Sequence, residues 1–125
     1  MTDKEKIKYL SYDKAFGIST RPAIDLRIKG RVTGCIIDIC GMGLLNHHLG
    51  YRKTNKIIFS IFEEFKKYGC ISGRWFSGDE IIIIHPRIKE KIQLLENVAD
   101  KYRIRFKKYF FKNKKIKEIN LKNGE

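Results

Sequence analysis

The chain has 125 residues, room for one core-bearing domain and not for two. No run reaches the eighteen or so apolar residues of a membrane span and no N-terminal stretch reads as a signal peptide, so the expected location is cytoplasmic, with no membrane partner. The formal charge of +13 is spread through a chain rich in Lys and Ile, with one concentration of ten Lys or Arg between Lys101 and Lys122, and it favours polyanionic partners.

In chain order, residues 1–12 are polar and mixed, and are expected to form a short helix or loose arm. Asp13 to Arg21 is irregular, and Thr20-Arg21-Pro22-Ala23 opens a short helix that Gly30 ends. Val32 to Ile39 reads as a strand that enters the Gly41-Met42-Gly43 loop. Asn55 to Tyr68 is the clearest helix, striped by Ile57, Ile58, Ile61, Phe62 and Phe65 and capped by Gly69. Ile71–Phe76 and Glu80–His85 form a hairpin, and Pro86 stops its second strand. Arg87 to Tyr102 is a second amphipathic helix, striped by Ile88, Ile92, Leu95, Val98 and Ala99. Arg105–Phe111 and Lys115–Leu121 read as two further strands. The order β-α-β-β-α-β predicts an α+β, ferredoxin-like (split βαβ) fold with an antiparallel sheet and two main helices. Cys35, Cys40 and Cys70 show neither disulfide nor zinc spacing and are read as small core residues. His47, His48 and His85 likewise lack metal spacing and are read as loop or surface residues.

The candidate chemistry sits at the hairpin. Ser77-Gly78-Asp79-Glu80 places two adjacent carboxylates on a Gly turn between Arg74-Trp75-Phe76 and the run Ile81–Ile84. A turn needs only Gly78-Asp79, which leaves Glu80 spare. The earlier strand carries its own acid, Asp38, between Ile37 and Ile39, where burial without a partner would be costly. Two strands that bring carboxylates to one point form a site for Mg²⁺ against a triphosphate. The Gly41-Met42-Gly43 turn directly after the strand lets backbone N–H groups approach phosphate.

Three segments, in order, resemble the GGDEF-type nucleotide cyclases, with their polymerase-like palm, and the related minimal CRISPR polymerases. Asp13 to Arg21 is similar to the segment before the palm. Asp38 through Asn55 keeps the spacing of the first metal-binding strand and the following helix, and Ser77-Gly78-Asp79-Glu80-Ile81 falls on the signature itself. The resemblance implies one palm domain over 1–125, with an N-terminal arm over 1–30, a palm core over 31–111 and a basic segment over 112–125. It implies catalytic Asp38, Asp79 and Glu80, and Mg²⁺ or Mn²⁺ on Asp38, Asp79 and the Ile39 carbonyl. Phosphates would lie at Gly41, Met42 and Gly43, and the base at Asn46 and Asn55. The implied reaction joins two nucleoside triphosphates, ATP or GTP, into a cyclic dinucleotide with release of pyrophosphate, across a homodimer. A solitary palm would suit antiviral signalling.

The chain departs from that pattern at three places. Cys40 replaces a second Asp, Gly43 stands where Lys is usual, and Asn55 replaces an Asp that would accept from the guanine edge, so adenine becomes a candidate base. No Arg-x-x-Asp precedes the signature, so the product-inhibition site of many diguanylate cyclases is expected to be absent. Two further readings stand beside the enzyme: a degenerate palm that binds a nucleotide or cyclic dinucleotide, and an RNA-binding ferredoxin-like domain using the basic aromatic stretch Arg103 to Phe111.

Overall fold

The computed structural model describes residues 12–13, 16–75 and 80–119. A six-stranded sheet carries three helices, in the chain order β1 (Tyr12–Asp13), β2 (Ile18–Ser19), α1 (Arg21–Arg27), β3 (Arg31–Ile39), α2 (Met42–Phe65), β4 (Ile71–Arg74), β5 (Glu80–Ile84), α3 (Ile88–Asp100) and β6 (Phe106–Lys115). The sheet order is β1-β2-β4-β5-β3-β6. Within it β4, β5, β3 and β6 pair antiparallel, which is the expected split βαβ core. The short β2 joins parallel to β4.

Strand alternation divides the apolar residues between two faces. Cys35, Ile37 and Ile39 of β3, with Ile81 and Ile83 of β5, face α2 and α3. There they meet Ile58, Ile61, Phe62 and Phe65 of α2 and the α3 stripe Ile88, Ile92, Leu95, Val98 and Ala99. Each large aliphatic side chain buried this way contributes about 1.5–3 kcal/mol. On the opposite face Ile36, Ile82 and Ile84 pack with Trp75, Ile24 of α1 and Ile119. Ile81 to Ile84 are therefore buried on both sides, as an unbroken apolar run requires.

Helix α1 begins as the sequence predicts. Thr20 caps it, its Oγ1 accepting from the Ala23 N–H at 3.3 Å, and Pro22 lies in the first turn. It ends earlier than expected, because Ile28 turns extended and packs on the second core before Gly30 is reached. Helix α2 starts at Met42, thirteen residues before the predicted Asn55, and breaks at Gly50 (φ 81°, ψ 160°), a conformation open to glycine. A 3-10 turn, Lys66–Tyr68, closes it at Gly69. The two predicted C-terminal strands are one strand, β6, followed by a 3-10 turn, Ile116–Glu118. A bulge absorbs the expected break. Asn113 adopts φ 54° and donates its N–H to Thr33 Oγ1 at 3.1 Å, so pairing with β3 continues to Lys115. Of the three cysteines, Cys35 is buried while Cys40 and Cys70 are half-buried, and all are free thiols. Among the described residues no helix is long and apolar enough to cross a membrane.

Candidate active site

Two of the predicted acids come together in the ladder. Asp38, next to last in β3, pairs in register with Glu80, the first residue of β5. Directly opposed residues on antiparallel strands have Cβ atoms about 4.5–5.5 Å apart on one face. Both side chains are buried, at 8% and 6% exposure. The hairpin sets Glu80 there: β4 and β5 pair from Ile71 with Ile84 to Arg74 with Ile81, and the Trp75 N–H donates to the Glu80 carbonyl at 2.9 Å. Asp79, with Ser77 and Gly78 of the signature, lies outside the described residues. Among the described residues no group of three His, Cys, Asp or Glu side chains converges to hold a metal. Two carboxylates in register are nevertheless a donor set for a hard divalent cation, which takes oxygen ligands.

On its other side Asp38 pairs in register with Lys107 of β6. The sequence offers Lys107 only as part of the basic aromatic stretch Arg103 to Phe111, and it is the β3–β6 register that brings it beside the acid. The exposed Lys107 ammonium thus flanks the carboxylate pair on the same face. Ile39 follows Asp38, buried among the residues facing α2 and α3.

The turn out of β3 is open. Gly41 adopts φ 68° as the N-cap of α2, and a side chain added at Gly41 or Gly43 would meet nothing within 4 Å. The first turn of α2, containing Met42 and Gly43, carries no acidic residue. Its free N–H groups and the helix dipole favour an anion there.

Asn46 and Asn55 both lie on α2, one on each side of the Gly50 break. Asn46 is therefore helical, and its buried Oδ1 has no hydrogen-bond partner among the described residues. Helix α2 packs on the face of the sheet opposite the Asp38 side chain, so the structure does not bring the Asn pair against the carboxylates. A ligand touching both would cross the end of the sheet at the Gly41 turn. His47 and His48 are exposed on the first arm of α2, with ring centroids 5.3 Å apart. His85 Nδ1 accepts from the Arg87 N–H at 2.9 Å, a local contact at the end of β5.

The N-terminal segment grips the base of the hairpin from both faces, which the sequence did not reveal. The Arg21 guanidinium lies 3.8 Å from the centre of the buried Trp75 ring, and the Arg74 guanidinium lies 4.0 Å from the Phe16 ring. Such stacks contribute about 0.5–2 kcal/mol each. They join the first of the segments that carry the resemblance to the end of β4, just ahead of the third.

The fold has solved counterparts. The chain superposes on a Vibrio cholerae LapD structure spanning the S helix, GGDEF and EAL regions and bound to c-di-GMP, with a TM-score of 0.71 and 15% identity over 90% of this chain. The fold is that of a GGDEF domain. The GGDEF domain of DgcB from Caulobacter crescentus, in complex with c-di-GMP, gives a TM-score of 0.62 at 15% identity over 80% of this chain and 73% of its own. The diguanylate cyclase SiaD from Pseudomonas aeruginosa, in complex with its activator SiaC, gives 0.56 at 18% identity, covering 81% of this chain and 45% of that one. The chain spans 31% of the LapD structure. No protein-family model matches the sequence, and no curated protein matches it. At 15–18% identity the agreement with these structures is one of fold.

Proposed function

We propose that the chain is a metal-dependent nucleotidyl cyclase, which joins two nucleoside triphosphates into a cyclic dinucleotide and releases two pyrophosphates. The observation that carries this reading is the in-register pairing of two buried carboxylates, Asp38 and Glu80, at the end of the sheet where the α2 N-terminus also opens. Asp38, Asp79 and the Ile39 carbonyl would hold Mg²⁺ or Mn²⁺. Such a metal supplies positive charge that stabilises the α-phosphate and the departing pyrophosphate and acidifies the attacking 3′-hydroxyl. Glu80 stands beside Asp38 to complete the acidic site or to accept the hydroxyl proton. The open first turn of α2 at Gly41, Met42 and Gly43 receives phosphate oxygens through its backbone N–H groups. Lys107 balances charge on the far side of Asp38. Asn46 and Asn55 reach the base, and the Asn at 55 makes ATP a candidate substrate beside GTP. One palm holds one triphosphate, so two chains meet face to face as a homodimer.

The test is incubation of the full chain with Mg²⁺ or Mn²⁺ and each triphosphate, with pyrophosphate and cyclic products resolved. Asp38→Asn is nearly isosteric and is expected to lower product formation at least about 100-fold, since even partners behind a metal ligand are worth 10–100-fold. Circular dichroism should show the fold intact. Unchanged turnover in Asp38→Asn would remove the carboxylate pair from the chemistry. Saturable triphosphate binding without pyrophosphate release would instead favour a palm that only binds, a reading to which Cys40, in place of a second acid, already points.

A further inference from the structure

A cavity of about 460 Å³ opens beside Thr33, at the far end of β3 from Asp38. Five residue steps along the strand separate the two, about 17 Å at the usual rise. The cavity lies between the first turn of α3 and the end of β6, and its lining includes Arg87, Lys89, Lys112, Phe110 and Phe111. None of the three cations has a carboxylate partner among the described residues. The single acid of the lining, Glu90, sits in the first turn of α3, where a carboxylate complements the helix dipole.

The backbone presents these groups for a reason that can be traced. Phe110 shares a face of β6 with Phe106 and Lys108, which α3 covers; Lys108 Nζ lies 3.2 Å from Glu96 of that helix. Because α3 begins only at Ile88, Phe110 lies at its first turn and stays 44% exposed. Phe111 takes the opposite face and is seated over Gly34, so closely that an added Cβ there would lie 2.8 Å from its ring. The bulge sets two residues of β6, Lys112 and Asn113, opposite Thr33 alone, and so holds Lys112 at the cavity.

Uncompensated cations around an exposed aromatic ring match a ligand with an anionic group and a planar ring. The volume falls in the range of small-molecule sites, about 300–1,000 Å³. We propose that this cavity binds a nucleotide unit, with the base stacked on Phe110 and the phosphate held by Arg87, Lys89 and Lys112. The same chemistry is offered by a free nucleotide and by one unit of a single-stranded RNA. The site is independent of the carboxylate pair and needs no metal.

The test is titration of the full chain in EDTA, which leaves the metal-dependent site silent, with AMP and separately with a short single-stranded RNA. Amide chemical shifts and calorimetry give the footprint and the affinity. Saturable binding is expected, with shifts at Thr33, Arg87, Lys89 and Lys112. Phe110→Ala, at an exposed position, should weaken it about tenfold. Arg87→Gln with Lys112→Gln should weaken it further and flatten its salt dependence. Asp38→Asn should leave it unchanged. RNA binding more than about tenfold tighter than AMP identifies a strand as the source, and equal affinity per site identifies a free nucleotide. Absence of saturable binding by both, a footprint elsewhere, or full affinity in a folded Phe110→Ala protein overturns the proposal.

Discussion

Gly34→Ala is expected to destabilise the protein by about 2–2.6 kcal/mol. A Cβ built at Gly34 lands within 3.0 Å of the Ile83 carbonyl oxygen and 2.8 Å from Phe111 Cζ. The oxygen is backbone in β5, whose Ile83 pairs with Cys35 of β3, so it cannot swing aside as a side chain would. Relief has to come from moving the two central strands apart. Overpacking costs about 1–3 kcal/mol, and a backbone contact puts this case at the upper end. Alanine returns about 0.4–1 kcal/mol by narrowing the unfolded ensemble. At about 4 °C per kcal/mol for a domain of this size, the net loss lowers Tm by about 8–10 °C. Thermal unfolding followed by circular dichroism reads this directly. Gly43→Ala is the internal control: it meets nothing within 4 Å and should leave Tm unchanged or slightly raised. A Gly34→Ala protein melting within about 2 °C of the parent would refute the packing argument. Because β3 and β5 are the strands that align Asp38 with Glu80, the variant should also lose turnover beyond its loss of folded protein.

Two further outcomes follow from buried polar groups. Thr54 Oγ1 is fully buried with no hydrogen-bond partner among the described residues, so Thr54→Val, which keeps the shape, should raise stability by about 1 kcal/mol; a urea midpoint that falls contradicts this. Burial pushes the Cys35 thiol up to about 12 from an ordinary value of 9.0, so the folded chain keeps a proton that the unfolded chain releases. Stability should therefore fall as pH rises from 9.0 towards 12, and iodoacetamide at neutral pH should label Cys35 only on unfolding; rapid labelling of native Cys35 contradicts the burial.

What could be read from the sequence follows how much of each element is buried. The stripes of α3 and of the second arm of α2, and the apolar run Ile81–Ile84, announce themselves because the core selects their residues. The first arm of α2 does not. Leu44 and Leu49 remain exposed on it, and Gly43 and Gly50 lower its helix propensity, so neither pattern nor propensity marks it as helix. The end of β6 departs from its expected break for a related reason. Lys112, Lys114 and Lys115 are all exposed on an edge strand, and the bulge at Asn113 breaks the alternation. Asp38 and Glu80 were legible as acids bounding apolar strands. Lys107, and the stacks of Arg21 on Trp75 and Arg74 on Phe16, depend on long-range register that no local spacing encodes.

Those stacks bear on how the site keeps its shape. Glu80 is the first residue of its strand, a place where strand ends tend to fray. Here the adjoining strand is held from both sides. Arg21, at the start of α1, covers Trp75 on one face, and Arg74 covers Phe16 on the other, while Ser19 of β2 pairs with Gly73. The Trp75–Glu80 backbone bond then transmits that hold to Glu80. The segment from Phe16 to Arg27 therefore acts as a brace for the hairpin. Loosening it should displace Glu80 relative to Asp38 and also weaken the helical core, because Phe16 and Ile18 share one buried cluster with the residues of α2, α3, β3 and β5.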